Sequence, residues 1–144
     1  ISLHLSRILR FIGFDYVVID DRPEFLTRER FPEAKDLVCR NFEHVVDALS
    51  LLPQASYLII VTRGHKSDQA VLKQALRTEA VYIGMIGSRR KIRLMFEHLR
   101  NQGVPQTMIE RIHAPIGLEI GADTPEEIAI SIAAQLIQVR RSGE

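Results

Sequence analysis

Apolar positions along this chain follow two rhythms that take turns. Ile1, Leu5, Ile8, Leu9 and Ile12 fall at helical spacing, with Ser6, Arg7 and Arg10 on the opposite side and Gly13 where a helix would end. Tyr16-Val17-Val18-Ile19-Asp20 then runs apolar until Asp21, Arg22 and Pro23 stop it, as a buried strand does on leaving a sheet. Residues 37–39, 57–61 and 81–86 are further strand candidates. Amphipathic stripes separate them: Phe42, Val45, Val46 and Leu49; Val71, Leu72, Ala75 and Leu76; Ile92, Met95, Phe96 and Leu99. Strand alternating with helix predicts βαβ units, hence an α/β, doubly wound, Rossmann-like domain whose parallel sheet is covered on both faces.

The C-terminal part changes character. Gly103 and Pro105 break the chain before a short helix near residues 108–111, and a Gly-rich connection follows over residues 114–121. Thr124 and Glu127 have capping-box spacing with Pro125 at the first helical position, so a last helix begins there and buries Ile128, Ala129, Ile132, Ala133, Leu136 and Ile137. No internal repeat or domain boundary interrupts residues 1–144, which read as one domain. Because the chain opens inside a helix, with no cap and no strand before Ile1, the first strand and its Gly-rich turn are expected upstream, in a longer protein.

Composition narrows the function. Apolar residues at 46% and charged residues at 26% describe an ordinary globular domain. Nineteen basic against eighteen acidic residues leave a net charge of +1, without the basic footprint of a nucleic-acid binder. Cys39, the single cysteine, permits no internal disulfide and suits a reducing, cytoplasmic setting. It reads as a small packed hydrophobe, with a sulfur-handling role as the alternative. The apolar run at residues 57–61 is far shorter than the roughly 20 residues of a membrane span, so no membrane partner is expected. His4, His44, His65, His98 and His113 are scattered without zinc-ligand spacing, and no metal site is expected.

In an open α/β sheet, ligands bind beyond the carboxyl ends of the strands, which directs attention to four loops. In the first, Asp20 suits a ribose hydroxyl with Arg22 beside it, or else Asp20 and Asp21 form a turn ahead of Pro23. The second carries Thr62, Arg63, Gly64 and His65; here Gly64 permits close backbone approach, Arg63 suits an anion and His65 suits proton exchange, while Ser67 or Asp68 alone would cap the next helix. In the third, Gly87 and Ser88 lead into a helix whose first turn is Arg89-Arg90-Lys91. Free amides at a helix start suit a phosphate, and a bound phosphate would explain cations placed where the helix dipole disfavours them; side chains reaching into water are the alternative. The fourth is the connection with Gly117 and Gly121, read as a ligand contact or as a tight turn. No residue stands out as catalytic, and neither a Gly-x-Ser-x-Gly elbow nor a Walker loop occurs.

Four runs in order carry a family resemblance: Val18-Ile19-Asp20-Asp21-Arg22-Pro23-Glu24-Phe25; Thr62-Arg63-Gly64-His65 with Asp68; Tyr82-Ile83-Gly84-Met85-Ile86-Gly87-Ser88-Arg89-Arg90-Lys91; and Ala114-Pro115-Ile116-Gly117-Leu118-Glu119-Ile120-Gly121-Ala122-Asp123-Thr124-Pro125-Glu126-Glu127-Ile128-Ala129. In these the chain resembles the C-terminal Rossmann domain of the XdhC/CoxI group, the xanthine dehydrogenase accessory factors. The resemblance implies a chaperone more than a catalyst: it would bind molybdenum cofactor, assist its sulfuration and deliver it. The implied partners are an apo molybdenum hydroxylase and a sulfur-donating cysteine desulfurase, with a second copy of the chain as a further one. An NAD(P)-dependent oxidoreductase using the same Rossmann site is the alternative, for which Asp20 speaks. A dimerisation or docking module is a third reading.

Overall fold

A computed structural model describes residues 1–143. In chain order the elements are α1 (Ser2–Phe11), β1 (Val17–Asp20), β2 (Asp36–Cys39), α2 (Val46–Ser50), β3 (Tyr57–Ile60), α3 (His65–Ala75), β4 (Tyr82–Met85), α4 (Arg89–Asn101), α5 (Gln106–Ile109), β5 (Ile112–His113) and α6 (Pro125–Ser142). Every strand pairing is parallel, with β1 beside β2 and β4 between β3 and β5. The expectation of a Rossmann-like α/β fold holds.

Its sheet comes as two ladders, β1-β2 and β3-β4-β5. No backbone hydrogen bond joins β1 to β3 among the described residues; side chains join the halves instead. Ile19 packs against the β3–β4 core, and the Phe14 ring meets Tyr57 edge-on at 5.2 Å. In a doubly wound order these ladders are the two flanks, and no strand of this chain takes the central position between them among the described residues.

Alternation along β3 and β4 builds both faces. Leu58, Ile60, Ile83 and Met85 point into one core with Val45, Leu72, Ile92, Met95 and Leu99. Tyr82, backed by Tyr57 and Ile59, points into the other, where α1 and α6 bring Leu5, Leu9, Ile132 and Leu136 together. Arg140 fastens these two helices by donating to the Ile12 carbonyl oxygen at 3.1 Å and lying over the Phe14 ring. The α6 capping box forms as its spacing predicts.

Two expectations differ in detail. The stripe Phe42 to Leu49 is a 3-10 turn at Phe42–His44 followed by the short α2, because the side chain of Gln74 intervenes. Gln74 Oε1 accepts from the amides of Val45 at 2.8 Å and Val46 at 2.9 Å, while its Nε2 donates to the Phe42 carbonyl at 2.7 Å. A side chain distant in sequence thus satisfies backbone groups that a continuous helix would otherwise have to serve. The other is β5, too short to leave a periodic signal, which forms through its register with Ile83 and Gly84.

Candidate functional site

The strand ends carry a cavity of about 160 Å³ between the turn after β3 and the start of α4, lined by Thr62, Gly64, His65, Asp68, Met85, Ile86, Gly87, Lys91, Ile92 and Met95. A complete small-molecule site typically encloses roughly 300–1,000 Å³, so this one accommodates a single group of a larger ligand. A larger cavity, about 240 Å³, lies at the other end of β3 and β4 beside Ser56, Leu58 and Ala80. It is remote from the strand ends where α/β sheets bind ligands.

The turn after β3 shapes the cavity's near wall. Gly64 adopts a φ of +91°, which favours glycine, and helix α3 starts at once with His65. No side chain caps α3, so neither Ser67 nor Asp68 plays that part. Instead Asp68 reaches back one turn, and its Oδ1 accepts from the Thr62 hydroxyl. Burial pushes the Asp68 carboxyl above the usual 3.8, outweighing the Thr62 hydroxyl and amide and the nearby charges of His65 and Lys91.

The far wall is the first turn of α4. Ser88 caps this helix by accepting from the Lys91 amide at 3.3 Å, which commits its hydroxyl to the backbone. The basic triplet splits three ways: Arg89 pairs with Glu119, Arg90 is exposed, and Lys91 lines the cavity. Arg89 and Glu119 are each 80% exposed, so their pairing adds little stability.

The other two loops are engaged differently. Asp20 and Arg22 come together as each other's partners: Arg22 Nε and Nη2 reach Asp20 Oδ1 and Oδ2, both at 3.0 Å, and the Arg22 amide also donates to Oδ1 at 3.0 Å. Arg22 also lies 3.9 Å from the centre of the Phe25 ring. Burial of Asp20 acts to raise its pKa, but the Arg22 hydrogen bonds, that of Asp21 and the Arg22 charge prevail and hold it below the usual 3.8. Gly117 is packed against α6, its amide donating to Gln135 Oε1 at 2.9 Å, the same oxygen that takes the Tyr82 hydroxyl at 2.6 Å. Gly121 is exposed.

Of the residues singled out from sequence, the cavity therefore gathers Thr62, Gly64, His65 and Gly87. Arg63, Ser88, Arg89, Arg90, Asp20, Arg22, Gly117 and Gly121 stand outside its lining. Lys91, the third cation of the basic triplet, joins them, and so does Asp68, which the sequence offered only as a helix cap. The signal for Asp68 was weak: one polar residue a helical turn after His65. Among the described residues no group of three or more His, Cys, Asp or Glu side chains is placed to hold a metal ion, and no helix is long and apolar enough to cross a membrane.

Comparison with known proteins agrees with this fold. The chain is 37% identical over 132 residues to the uncharacterized protein YqeB of Escherichia coli (strain K12), covering 91% of this chain and 24% of that protein. It is 29% identical over 140 residues to a Bacillus subtilis (strain 168) protein described as a probable xanthine dehydrogenase subunit, covering 97% and 40% respectively. A crystal structure described as a xanthine dehydrogenase from Bacillus halodurans superposes with a TM-score of 0.83 at 34% identity, over 99% of this chain and 40% of that one. The chain thus spans well under half the length of each relative. The XdhC Rossmann domain model matches residues 1–136, and the chain belongs to that family.

Proposed function

We propose that this domain is the ligand-binding part of an accessory factor that matures a molybdenum hydroxylase of the xanthine dehydrogenase type. It holds molybdenum cofactor at the carboxyl ends of β3 and β4, presents it to a cysteine desulfurase for sulfuration, and passes it to the apo hydroxylase. The observation that carries this reading is the coincidence of the XdhC family match with a cavity at those strand ends.

The residues present suit one portion of such a ligand. Gly64 and Gly87 line the cavity without side chains, and the exposed His65 and Lys91 add polar groups beside the apolar Met85, Ile92 and Met95. The molybdenum centre supplies the redox chemistry of the finished hydroxylase, and this domain's residues bind and orient. The Asp20–Arg22 fork bears on the oxidoreductase alternative, because an acid whose two oxygens already accept from arginine has little capacity left for a ribose hydroxyl.

The test uses the full-length protein. Its extract is assayed for oxidised pterin and molybdenum, and the protein is mixed with apo hydroxylase and a desulfurase. A retained pterin with molybdenum and a rise in hydroxylase activity support the reading. Absence of both, together with tight NADH binding and hydride transfer, would replace it with the oxidoreductase.

A further inference from the structure

The cavity rim carries two side chains of opposite charge that the protein leaves without ion-pair partners. Among the described residues neither Asp68 nor Lys91 forms a salt bridge; Asp68 accepts from Thr62, and the Lys91 backbone amide goes to Ser88. Both face the same 160 Å³ space, from α3 and from α4, with His65 as the remaining titratable group on the lining. Below them Met85 and Met95 are 0% and 2% exposed, with Ile92 beside them.

A lone anion would meet Lys91 but would sit against Asp68, and a lone cation would reverse the conflict. A neutral, planar ligand that offers donors on one side and an acceptor on the other satisfies both. A carboxylate accepts well from two adjacent N–H groups, and an ammonium donates to a carbonyl oxygen. The cavity, about 160 Å³, has room for one ring system, not for an entire nucleotide.

Building on the maturation role, we propose that this cavity receives the 2-amino-4-oxopyrimidine edge of the ligand, with Asp68 accepting its N–H donors and Lys91 donating to its carbonyl oxygen. Pterins and guanine share that edge; adenine does not. The remainder of the ligand then runs out of the cavity into solvent, since the space holds only one ring system.

The experiment is a set of titrations on full-length protein with 6-hydroxymethylpterin, GMP, AMP and inorganic phosphate, followed by pterin fluorescence or calorimetry. Pterin or GMP binds at least tenfold more tightly than AMP. Asp68→Asn, which keeps an oxygen for the Thr62 hydroxyl, weakens that binding more than tenfold, and Lys91→Gln weakens it severalfold. Unchanged melting temperatures of the two variants in the absence of ligand, or a higher one for Asp68→Asn, exclude misfolding as the cause. Equal affinity for pterin, GMP and AMP overturns the inference, as do undiminished binding by Asp68→Asn and the absence of any heterocycle binding. Preference for pterin over GMP identifies the source as a pterin. GMP preference in a protein that activates no hydroxylase supports the edge assignment while refuting the maturation role, so the two can fail separately.

Discussion

Replacing Gly117 with alanine separates a packing role from a ligand role for the glycine-rich connection. The residue sits at a φ of +97°, where an L-amino acid costs about 1–2 kcal/mol. An added methyl would also overlap Ser131 Oγ and lie 3.2 Å from Ser131 Cβ, an overpacking that costs about 1–3 kcal/mol. Ser131 has little freedom to move away, because its hydroxyl donates to the Leu118 carbonyl at 2.6 Å. The sum, about 2–5 kcal/mol, lowers the melting temperature by about 5–20 °C for a domain of this size. Thermal unfolding of full-length Gly117→Ala, alone and combined with Ser131→Ala, isolates the overlap: the second change recovers about 1–2 kcal/mol of the loss as coupling energy. Equal cost in both backgrounds refutes the packing argument. Lost pterin binding at an unchanged melting temperature would instead make Gly117 a ligand contact.

Other expectations follow from individual side chains. Gln74→Leu leaves the buried Val45 amide and its neighbours without partners and costs about 3 kcal/mol or more in chemical denaturation, whereas a loss below about 1 kcal/mol would show that water replaces the amide. Tyr82→Phe removes one hydrogen bond to Gln135 while Gly117 keeps another, so the loss in the same assay is about 0.5–1.5 kcal/mol. Asp20 has a depressed pKa, so its contribution is present above the unfolded value and disappears as pH falls through the folded one; Asp20→Asn is less stable than the parent at pH 7 and indistinguishable from it well below 3.8. Asp68 has a raised pKa, so its favourable contribution exists below the unfolded value and is lost as pH rises through the folded one. Asp68→Asn therefore matches the parent below 3.8 and melts higher at pH 7, and a lower melting temperature at neutral pH would refute the desolvation argument.

Much of the fold was legible because period decides burial. Strands β1, β3 and β4 lie within a residue or so of their expected positions, since short apolar runs between turn-forming residues have few other ways to bury themselves. The capped start of α6 was equally plain. What the pattern did not carry was non-local. Gln74 divides the Phe42 stripe from about thirty positions away in sequence, an interaction no local window contains. The two-residue β5 has no period to display and depends on its neighbour for existence. The expectation of a single sheet met two ladders for a related reason: pairing is a property of which strand lies alongside, and apolar runs do not state that.

At the site, residue type was legible and direction was not. The basic triplet Arg89-Arg90-Lys91 suggested an anion cradle, yet successive helical positions differ by about 100° in azimuth, so three adjacent cations cannot all face one ligand. The folded helix distributes them: Arg89 turns to Glu119, Arg90 to solvent and Lys91 to the cavity. The same geometry makes Asp68 a site residue, because three positions on from His65 it returns to the cavity side of α3 and meets Thr62. A consequence separates the members of the triplet experimentally. Lys91→Gln impairs pterin binding severalfold, whereas Arg90→Gln leaves it within twofold and Arg89→Gln alters at most the loop that Glu119 belongs to. Equal losses from all three substitutions would mean that overall positive charge, and not the direction of one side chain, attracts the ligand. That result would return the anion cradle to the start of α4 and remove Asp68 from the site.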